Sequence, residues 1–567
     1  MGLTCRPLHG ALSPAMLEPH AMTAPRRPYL CLIAFCLILW LPGFFTLPPT
    51  DRDEGRFTQA SKQMLETGDY VNIRFSEDAR NRKPVGIHWA QLPFAAAARA
   101  VGIATENPVW PYRIPSALGA LAAVLLLYRL GRTLAGDGSA WLAGAMLAAC
   151  LLTVTETHIA KTDAALLGTT ALAMLLLARA YLKLAAFTAL TAALFWIALG
   201  AGILLKGPVI LMIAGLTVCS LVIADRKAAW LRPLRAAWGI PLMLLITLPW
   251  FIAIGIATEG KFFHDSLGGD LGGKLTRGAE QHWGPPGAHL LVSPMMLFPA
   301  TIAVFLALPS AWRQRAEPLT RFLLAWIIPS WIVFEAVPTK LPHYVLPLYP
   351  ALFLIAARWL AAPDRTEPGP RWTRFAAIAG LAVAALLGAT GLALPILLRT
   401  DMWRGIPTIF AAAILLWLAW DTARTQDWTR LRRMILAMPL LTWAILEVLL
   451  PALRPVWLSP QIKEALAAHY PQGRPQGSFA TIGYHEPSVV FLVGTDVVLM
   501  PIGDGSAAVG FLTAAPNRTL LVGTRQRRIF LEAAAKSNLT PLLIATLSGF
   551  NYAAVRPETL TLYAGPR

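Results

Sequence analysis

Long apolar runs recur along most of this chain, and they restrict the folds that it can adopt more than any other feature. Hydrophobic residues make up 56% of the 567 residues, and charged residues make up only 14%. Soluble domains carry about 25% charged residues, and a helix needs about 20 mostly apolar residues to cross the hydrocarbon of a bilayer. The sequence therefore predicts a polytopic α-helical membrane protein.

Thirteen runs approach the length of a membrane span. The third is short and the fourth to sixth nearly merge, which leaves the count open by one. In chain order the runs are Leu30–Leu47, Arg113–Leu130, Trp141–Val154, Ala164–Leu182, Ala185–Leu205, Val209–Ala224, Ile240–Ile256, Leu290–Leu308, Phe322–Val337, Tyr344–Leu360, Phe375–Leu398, Ile406–Trp420 and Met434–Leu453.

Lys and Arg concentrate in the loops on one side of these predicted helices. If residues 1–28, with Arg26 and Arg27, form a cytoplasmic N-terminal segment, the loops after even-numbered helices return to the same side. Almost every short basic loop then falls on the cytoplasmic face. This distribution explains the net charge of +18 without a nucleic-acid partner.

Three longer segments fall on the opposite, external face. Two of them, residues 50–112 and 257–289, are loops within a membrane domain of residues 29–453. The third is the tail, residues 454–567, which is long enough for a small domain of its own.

The tail predicts a compact α/β domain. Short β-like runs alternate there with one helical run, and Gly and Pro separate them. The predicted elements are strands at Ser478–Ile482, Val497–Met500 and Thr519–Val522, and a helix at Arg528–Ser537.

An acidic cluster stands where the first predicted helix ends. Asp51, Asp53 and Glu54 lie there with Arg56, at the start of the first external loop. Charged groups are costly near hydrocarbon, so such a cluster suggests a functional site. Two carboxylates at this spacing can share a divalent cation, or one can act as a base. The alternatives are a solvated loop and a helix N-cap.

Two further polar clusters fall in the same external layer. Arg82 and Lys83 precede a proline and an apolar run, which is typical either of a phosphate clamp or of an interfacial helix whose cations reach the head groups. His158 and Lys161 precede Asp163 at the start of the fourth predicted helix. Asp163 can cap that helix, but a cap alone does not require the histidine and the lysine.

The remaining candidates lie further along the chain at the same predicted face. Lys340, His343 and Tyr344 stand among three prolines between the ninth and tenth helices, and an aromatic interfacial belt explains the tyrosine alone. Lys206 separates the fifth and sixth helices. His282 lies in the second external loop, where a lone histidine is more often a surface residue than a ligand.

These motifs, in this order, resemble those of the bacterial protein-mannosyltransferase-like superfamily. That superfamily includes the aminoarabinose transferases of polymyxin resistance, which modify lipid A. The similarity runs over residues 30–360 and returns in the tail. It rests on Asp53-Glu-Gly-Arg56-Phe, Lys83-Pro, His158-x-x-Lys161-Thr-Asp163, Leu205-Lys-Gly-Pro208, Lys340-Leu-Pro-x-Tyr344-x-Leu-Pro347 and Tyr484-His-Glu486-Pro-Ser488.

The resemblance implies a GT-C glycosyltransferase fold in the bacterial inner membrane, with an active site that faces the periplasm. The donor would be a sugar on undecaprenyl phosphate. Asp53 would be the principal catalytic or acceptor-orienting carboxylate, with Asp163 in support. The donor phosphate would be bound by Lys83, Lys206, Lys340, Tyr344 and Arg82, and accessory roles would fall to Asp51, Glu54, Arg56, His158, Lys161, His282 and His343.

One departure from the superfamily concerns the metal. The aminoarabinose transferases carry a glutamate, a proposed metal ligand, directly before the lysine of the Lys83 motif, and this chain has Arg82 there. The resemblance therefore does not transfer a metal site to this chain. A divalent metal ion held by another geometry, such as Asp51 and Asp53, stays open, and no other cofactor is indicated.

Three functions can be considered for a chain with this sequence. The favoured one is transfer of a single sugar to lipid A or to the lipopolysaccharide core, with protein hydroxyls as the second acceptor class. A transporter or flippase for lipid-linked sugars would need charged residues along a path through the membrane, and only Glu335 and Glu447 lie near helix centres. A sensor with a ligand-binding tail would leave the polar clusters unexplained.

Overall fold

The apolar runs fold into helices in the predicted order. The structure, a computed structural model, describes residues 24–103, 107–184, 187–273, 283–363 and 365–565. His282 and most of the predicted N-terminal segment lie outside these ranges. Up to the second external loop the helices are α1 (Pro28–Trp40), α2 (Arg52–Thr67), α3 (Gly86–Ala100), α4 (Trp110–Ala135), α5 (Asp137–Ala149), α6 (Leu151–Thr157), α7 (Thr162–Tyr181), α8 (Ala189–Lys206), α9 (Val209–Asp225) and α10 (Ala236–Ala257).

The second half of the membrane domain continues in the same way. A helical segment at Lys261–Phe263 and His264–Leu271 belongs to the second external loop. The 3-10 turn Pro342–Leu348 leads directly into a membrane helix. The helices are α11 (Ala288–Met296), α12 (Thr301–Arg313), α13 (Pro318–Ala336), α14 (Tyr349–Ala361), α15 (Pro370–Leu397), α16 (Ile406–Thr425) and α17 (Leu431–Trp443), which a π-helical turn extends at Ala444–Leu449.

All thirteen predicted runs contain helix, but not all are straight spans. Within the described residues, nine helical stretches have the length and hydropathy to cross a membrane. The predicted run Trp141–Val154 is instead a pair, α5 and α6, bent by 59° where Cys150 takes an extended conformation. The run Leu290–Leu308 is likewise divided into α11 and α12. The helices α1, α9 and α12 are apolar but shorter than the other spans.

The helix α2, in the predicted first external loop, forms where a polar, amphipathic sequence follows the first run. Asp51 caps its N-terminus, because the side chain accepts a hydrogen bond from the Asp53 backbone N–H at 2.6 Å. Gly68 ends the helix with φ of +72°, a conformation that glycine adopts without strain. The two-residue strands β1 (Arg74–Phe75) and β2 (Asp78–Ala79) then form a hairpin that returns the chain toward α2.

The tail forms the predicted α/β domain around one five-stranded sheet. Its strands lie in the order β4-β3-β5-β7-β6, with β3 parallel to β4 and β5 and with β7 antiparallel to both of its neighbours. All three predicted strands and the predicted helix are present, whereas the hairpin β6–β7 was not predicted. The elements are α18 (Leu458–His469), β3 (Phe479–Ile482), α19 (Pro487–Val493), β4 (Val498–Met500), α20 (Gly505–Thr513), β5 (Thr519–Val522), α21 (Arg527–Lys536), β6 (Leu542–Asn551) and β7 (Arg556–Ala564).

Candidate active site

Asp53 lies in the first turn of α2, surrounded by positive charge. Its Oδ1 accepts hydrogen bonds from Arg56 Nη1 at 3.2 Å and from Arg80 Nη2 at 3.3 Å. The hairpin β1–β2 brings Arg80 and Lys83 back to α2, where both cations lie over the ring of Phe57. Burial opposes the charge of Asp53, but Lys83, Arg80 and Arg56 hold the pKa of its carboxyl well below the ordinary value.

Glu54 has a different role from Asp53, the residue before it in the sequence. Its carboxylate receives Arg113 Nε at 2.8 Å and Arg113 Nη2 at 3.1 Å, and both side chains are fully buried. The same guanidinium donates to the backbone carbonyls of Phe44, Leu47 and Pro48. Glu54 therefore fixes the chain between α1 and α2 from inside the fold, and it does not face the cavity beside Asp53.

A second charged cluster forms where α6, α7, α8 and the turn before α14 meet. The carboxylate of Asp163 accepts a short hydrogen bond from Lys206 Nζ. The ammonium of Lys161 lies 3.1 Å from Glu156 Oε1 and 3.9 Å from Asp51 Oδ2. His343 stands between the two pairs. Lys161 thus links this cluster to the N-cap of α2, two residues from Asp53.

A cavity of about 350 Å³ opens beside both clusters. One end is cationic, since Arg82, Lys83 and Lys206 line it, and the ammonium of Lys206 lies 4.8 Å from the centre of the Tyr344 ring. The rest of the wall is apolar and aromatic. It consists of Pro84, Leu166, Pro208, Val209, Met212, Phe251, Phe262, Phe263, Val333, Phe334, Val337 and Pro347, with Gly207, Ser266 and His343 completing the lining.

Comparison with known proteins places this arrangement in a known architecture. The profile of the family described as dolichyl-phosphate-mannose-protein mannosyltransferase matches residues 92–252. An undecaprenyl phosphate-alpha-4-amino-4-deoxy-L-arabinose arabinosyl transferase of Pseudomonas fluorescens is 28% identical, over 64% of each chain. The crystal structure of ArnT from Cupriavidus metallidurans bound to undecaprenyl phosphate superposes with a TM-score of 0.75 and 19% identity, over 96% of this chain and 100% of that one.

The membrane domain and the tail domain both take part in that match. This is a GT-C membrane fold. A more distant GT-C protein, the archaeal oligosaccharyltransferase AglB from Archaeoglobus fulgidus, superposes with a TM-score of 0.51 and 12% identity, over 91% of this chain and 72% of that one. The chain thus resembles the aminoarabinose transferases in sequence and in fold, as its motifs suggest.

The GT-C fold brings most of the predicted site residues together. Asp51, Asp53, Arg56, Lys161 and Asp163 lie in the linked charged clusters. Arg82, Lys83, Lys206, His343 and Tyr344 line the cavity.

Three predicted residues within the described ranges lie elsewhere, and the first is Glu54, which pairs with Arg113 inside the fold. Lys340 is not among the residues that line the cavity. Its ammonium donates to the carbonyls of Phe334, Glu335 and Val337, at the C-terminal end of α13. The ring of His158 is buried and lies 2.7 Å from the Val154 carbonyl and 2.9 Å from the Pro42 carbonyl, so it joins α6 to the end of α1. These contacts are structural, and the donor-phosphate role of Lys340 and the accessory role of His158 stay predictions.

Two charged residues of the site were not predicted. Arg80 lies two residues before Arg82 in the sequence, but only the folded hairpin shows that it pairs with Asp53. Glu156 lies two residues after the end of the third apolar run, and an acidic residue at the end of such a run is the signal that could have found it.

Metal binding was tested against the residues present. Arg82 is cationic and lines the cavity, so the residue before Lys83 cannot serve as a metal ligand in this chain. Within the described residues, Glu156, Asp163 and His343 bring one ligand atom each within 4.8 Å of one another. The ammonium groups of Lys161 and Lys206 already pair with these two carboxylates, and a divalent cation would have to compete with both.

Proposed function

We propose that this chain is an inner-membrane glycosyltransferase that moves one sugar from an undecaprenyl-phosphate donor to lipid A or the lipopolysaccharide core, at the periplasmic face. The observation that supports this most directly is the cavity, which is apolar along its walls and cationic at one end. The names of the similar proteins agree with such a donor.

The cavity suits the two parts of a polyprenyl-phosphate donor. Isoprenoid units are apolar and would lie along the aromatic wall formed by Phe251, Phe262 and Phe334. The phosphate would lie at Lys83 and Lys206. In the reaction an acceptor oxygen forms a new bond to the sugar C1, and the bond between C1 and the phosphate oxygen breaks. Its electron pair leaves with the phosphate, which can take the proton of an acceptor hydroxyl. Cations at the departing phosphate stabilise the charge that develops there.

Asp53 would act on the acceptor side of the same reaction. Lys83 both lines the cavity and lowers the pKa of Asp53, so the carboxylate stands next to the donor phosphate end. A carboxylate held this strongly ionised is a weak proton acceptor. We therefore assign Asp53 mainly to orienting the acceptor and to stabilising positive charge on the sugar in the transition state.

The test is mass spectrometry of lipid A and core oligosaccharide from a host that lacks this gene and carries it back on a plasmid. Wild type should add one sugar mass, and Asp53→Asn should lose it, with transfer slowed about 10²–10³-fold, as for the loss of one group that stabilises transition-state charge. The matched control is Asp78→Asn, because Asp78 is an exposed carboxylate of the same external loop.

Each outcome bears on a separate part of the proposal. No difference between the deletion host and the complemented host, with the protein present, contradicts the lipid A and core assignment and points to protein hydroxyls or another envelope glycan. Full activity of Asp53→Asn contradicts the role of Asp53 alone.

A further inference from the structure

Glu156 is the charged residue of the site that the motifs leave without a role. It lies in the last turn of α6 and is only 2% exposed. Its Oε1 contacts Lys161 Nζ at 3.1 Å, while its Oε2 has no hydrogen-bond partner among the described residues. A buried carboxylate is costly unless it is paired, so this position demands an explanation.

The contacts of Glu156 divide the cluster into two ion pairs. Lys161 pairs with Glu156, and Lys206 pairs with Asp163. The ring of His343 separates the pairs: its Nδ1 lies 3.6 Å from Glu156 Oε1 and 3.3 Å from Lys161 Nζ, and its Nε2 lies 3.8 Å from Asp163 Oδ1.

The two lysines differ in what they face. Lys206 lines the cavity, whereas Lys161 does not and is 5% exposed. Among the described residues, the charged and polar partners recorded for the Lys161 ammonium are Glu156, the His343 ring and Asp51, the last at 3.9 Å. Without Glu156, its ammonium would be drawn to the remaining carboxylates, Asp163 and Asp51, because a buried charge without a partner is strongly unfavourable.

We infer that Glu156 is a positioning residue for the donor phosphate. It holds Lys161 and His343 in place, so that Asp163 stays available to anchor Lys206 at the cationic end of the cavity. This inference rests on the proposed function, since it concerns the same phosphate site. Glu156 would act through Lys206 and would not touch the donor itself.

Two substitutions separate this role from a simple effect of charge. Glu156→Gln removes the charge, and the added positive character of the site would by itself favour an anion. Glu156→Asp keeps the charge but is too short to keep the 3.1 Å contact with Lys161. If position matters, both variants bind the donor phosphate more weakly, by about tenfold, as expected for loss of a hydrogen bond to a charged group.

The experiment measures the affinity of the detergent-solubilised full-length protein for undecaprenyl phosphate by isothermal titration calorimetry. The variants are Glu156→Gln, Glu156→Asp, Lys206→Met and the double variant Glu156→Gln/Lys206→Met. Glu447→Gln is the control, because Glu447 belongs to a membrane helix but accepts from the Gly43 backbone, away from the cavity lining. Thermal melting verifies that each variant is folded.

The expected result is that the double variant binds no more weakly than Lys206→Met, because Glu156 acts through that lysine. Additive losses would overturn the inference, since independent structural effects add. Wild-type affinity in Glu156→Gln or Glu156→Asp would also overturn it and would leave the proposed function intact. Failure of the wild-type protein to bind undecaprenyl phosphate would instead contradict the proposed donor.

Discussion

Asp53 owes its electrostatic character to side chains that are not its neighbours in sequence. Arg56 is one turn away on α2, but Arg80 and Lys83 reach Asp53 only because the hairpin β1–β2 folds back onto that helix. An opposite charge within a few ångströms stabilises the ionised carboxylate. The three cations therefore keep Asp53 charged well into the acidic range.

We expect Arg80→Gln to move the acid limb of the activity profile to higher pH, because removing one of the cations around Asp53 raises the pKa of its carboxyl. A carboxylate with a lowered pKa stays ionised above that pKa, and activity that needs its charge is lost only as pH falls through it. Removing a cation raises the pKa, so the loss begins at a higher pH. The measurement is kcat/KM for the donor from pH 8 down to the lowest pH at which both proteins stay folded, because the acid limb lies well below the ordinary pKa of a carboxyl.

Arg74→Gln is the control for this profile, because Arg74 is an exposed arginine of the same hairpin. Equal acid limbs for Arg80→Gln and wild type, with normal stability, would show that Arg80 does not set the ionisation of Asp53.

The helix α2 is held between the membrane domain and the tail domain. The short helix α19 of the tail lies along it, and the ion pair between Arg52 Nε and Glu486 Oε2, at 3.1 Å, joins their first turns. Further along, Thr495 accepts from Gln59 at 2.8 Å and donates to Glu66 at 2.7 Å. The Tyr484–Ser488 motif of the tail thus packs against the helix that begins at the candidate catalytic carboxylate.

We predict that Gly55→Ala weakens the contact between α2 and α19 and lowers activity together with thermal stability. A Cβ at Gly55 would lie 2.8 Å from the Ser488 backbone nitrogen and 3.0 Å from the Pro487 carbonyl carbon, and backbone cannot move aside as a flexible side chain can. The overpacking cost of about 1–3 kcal/mol exceeds the gain of about 0.5–1 kcal/mol that alanine brings to a helix.

Gly510→Ala in α20 is the matched control, since a Cβ there meets nothing within 4 Å. It should raise the melting temperature slightly. If Gly55→Ala melts at or above the temperature of Gly510→Ala, the two helices do not pack as closely as the structure shows.

The distribution of basic loops over the whole molecule predicts which side of the membrane each loop and the tail domain face. The basic loops lie on one face, and both charged clusters and the tail domain lie on the other by the topology that these loops predict. We expect the cysteine of Gln472→Cys, in the tail domain, to react with a membrane-impermeant maleimide in intact spheroplasts. The cysteine of Arg315→Cys should react only after the membrane is opened.

Both positions are exposed, so accessibility alone does not separate them. The substitutions would be made in a background in which Cys5, Cys31, Cys36, Cys150 and Cys219 are replaced. Labelling of Arg315→Cys but not of Gln472→Cys in intact spheroplasts would invert the topology and place the candidate active site in the cytoplasm.

The sequence by itself determined the apolar helical segments of the membrane domain, their order, and the elements β3, β4, β5 and α21 of the tail. These features depend on local patterns, namely apolar runs, alternation of apolar and polar residues, and turn residues. Each segment carries its own pattern, whatever the rest of the chain does. The hairpin β6–β7 and the bend at Cys150 could not be predicted from local sequence patterns, because strand pairing and helix packing determine them.

Only the tertiary structure decided the partners of the charged residues. Glu54 and Asp53 are adjacent in sequence, yet one pairs with Arg113 inside the fold and the other with Arg80 beside the cavity. Likewise the Lys340 ammonium donates to a carbonyl at the end of α13, whereas Glu156 pairs with Lys161 in the site. A buried charge must find an opposite charge in space, and which one it finds depends on how distant helices pack against each other.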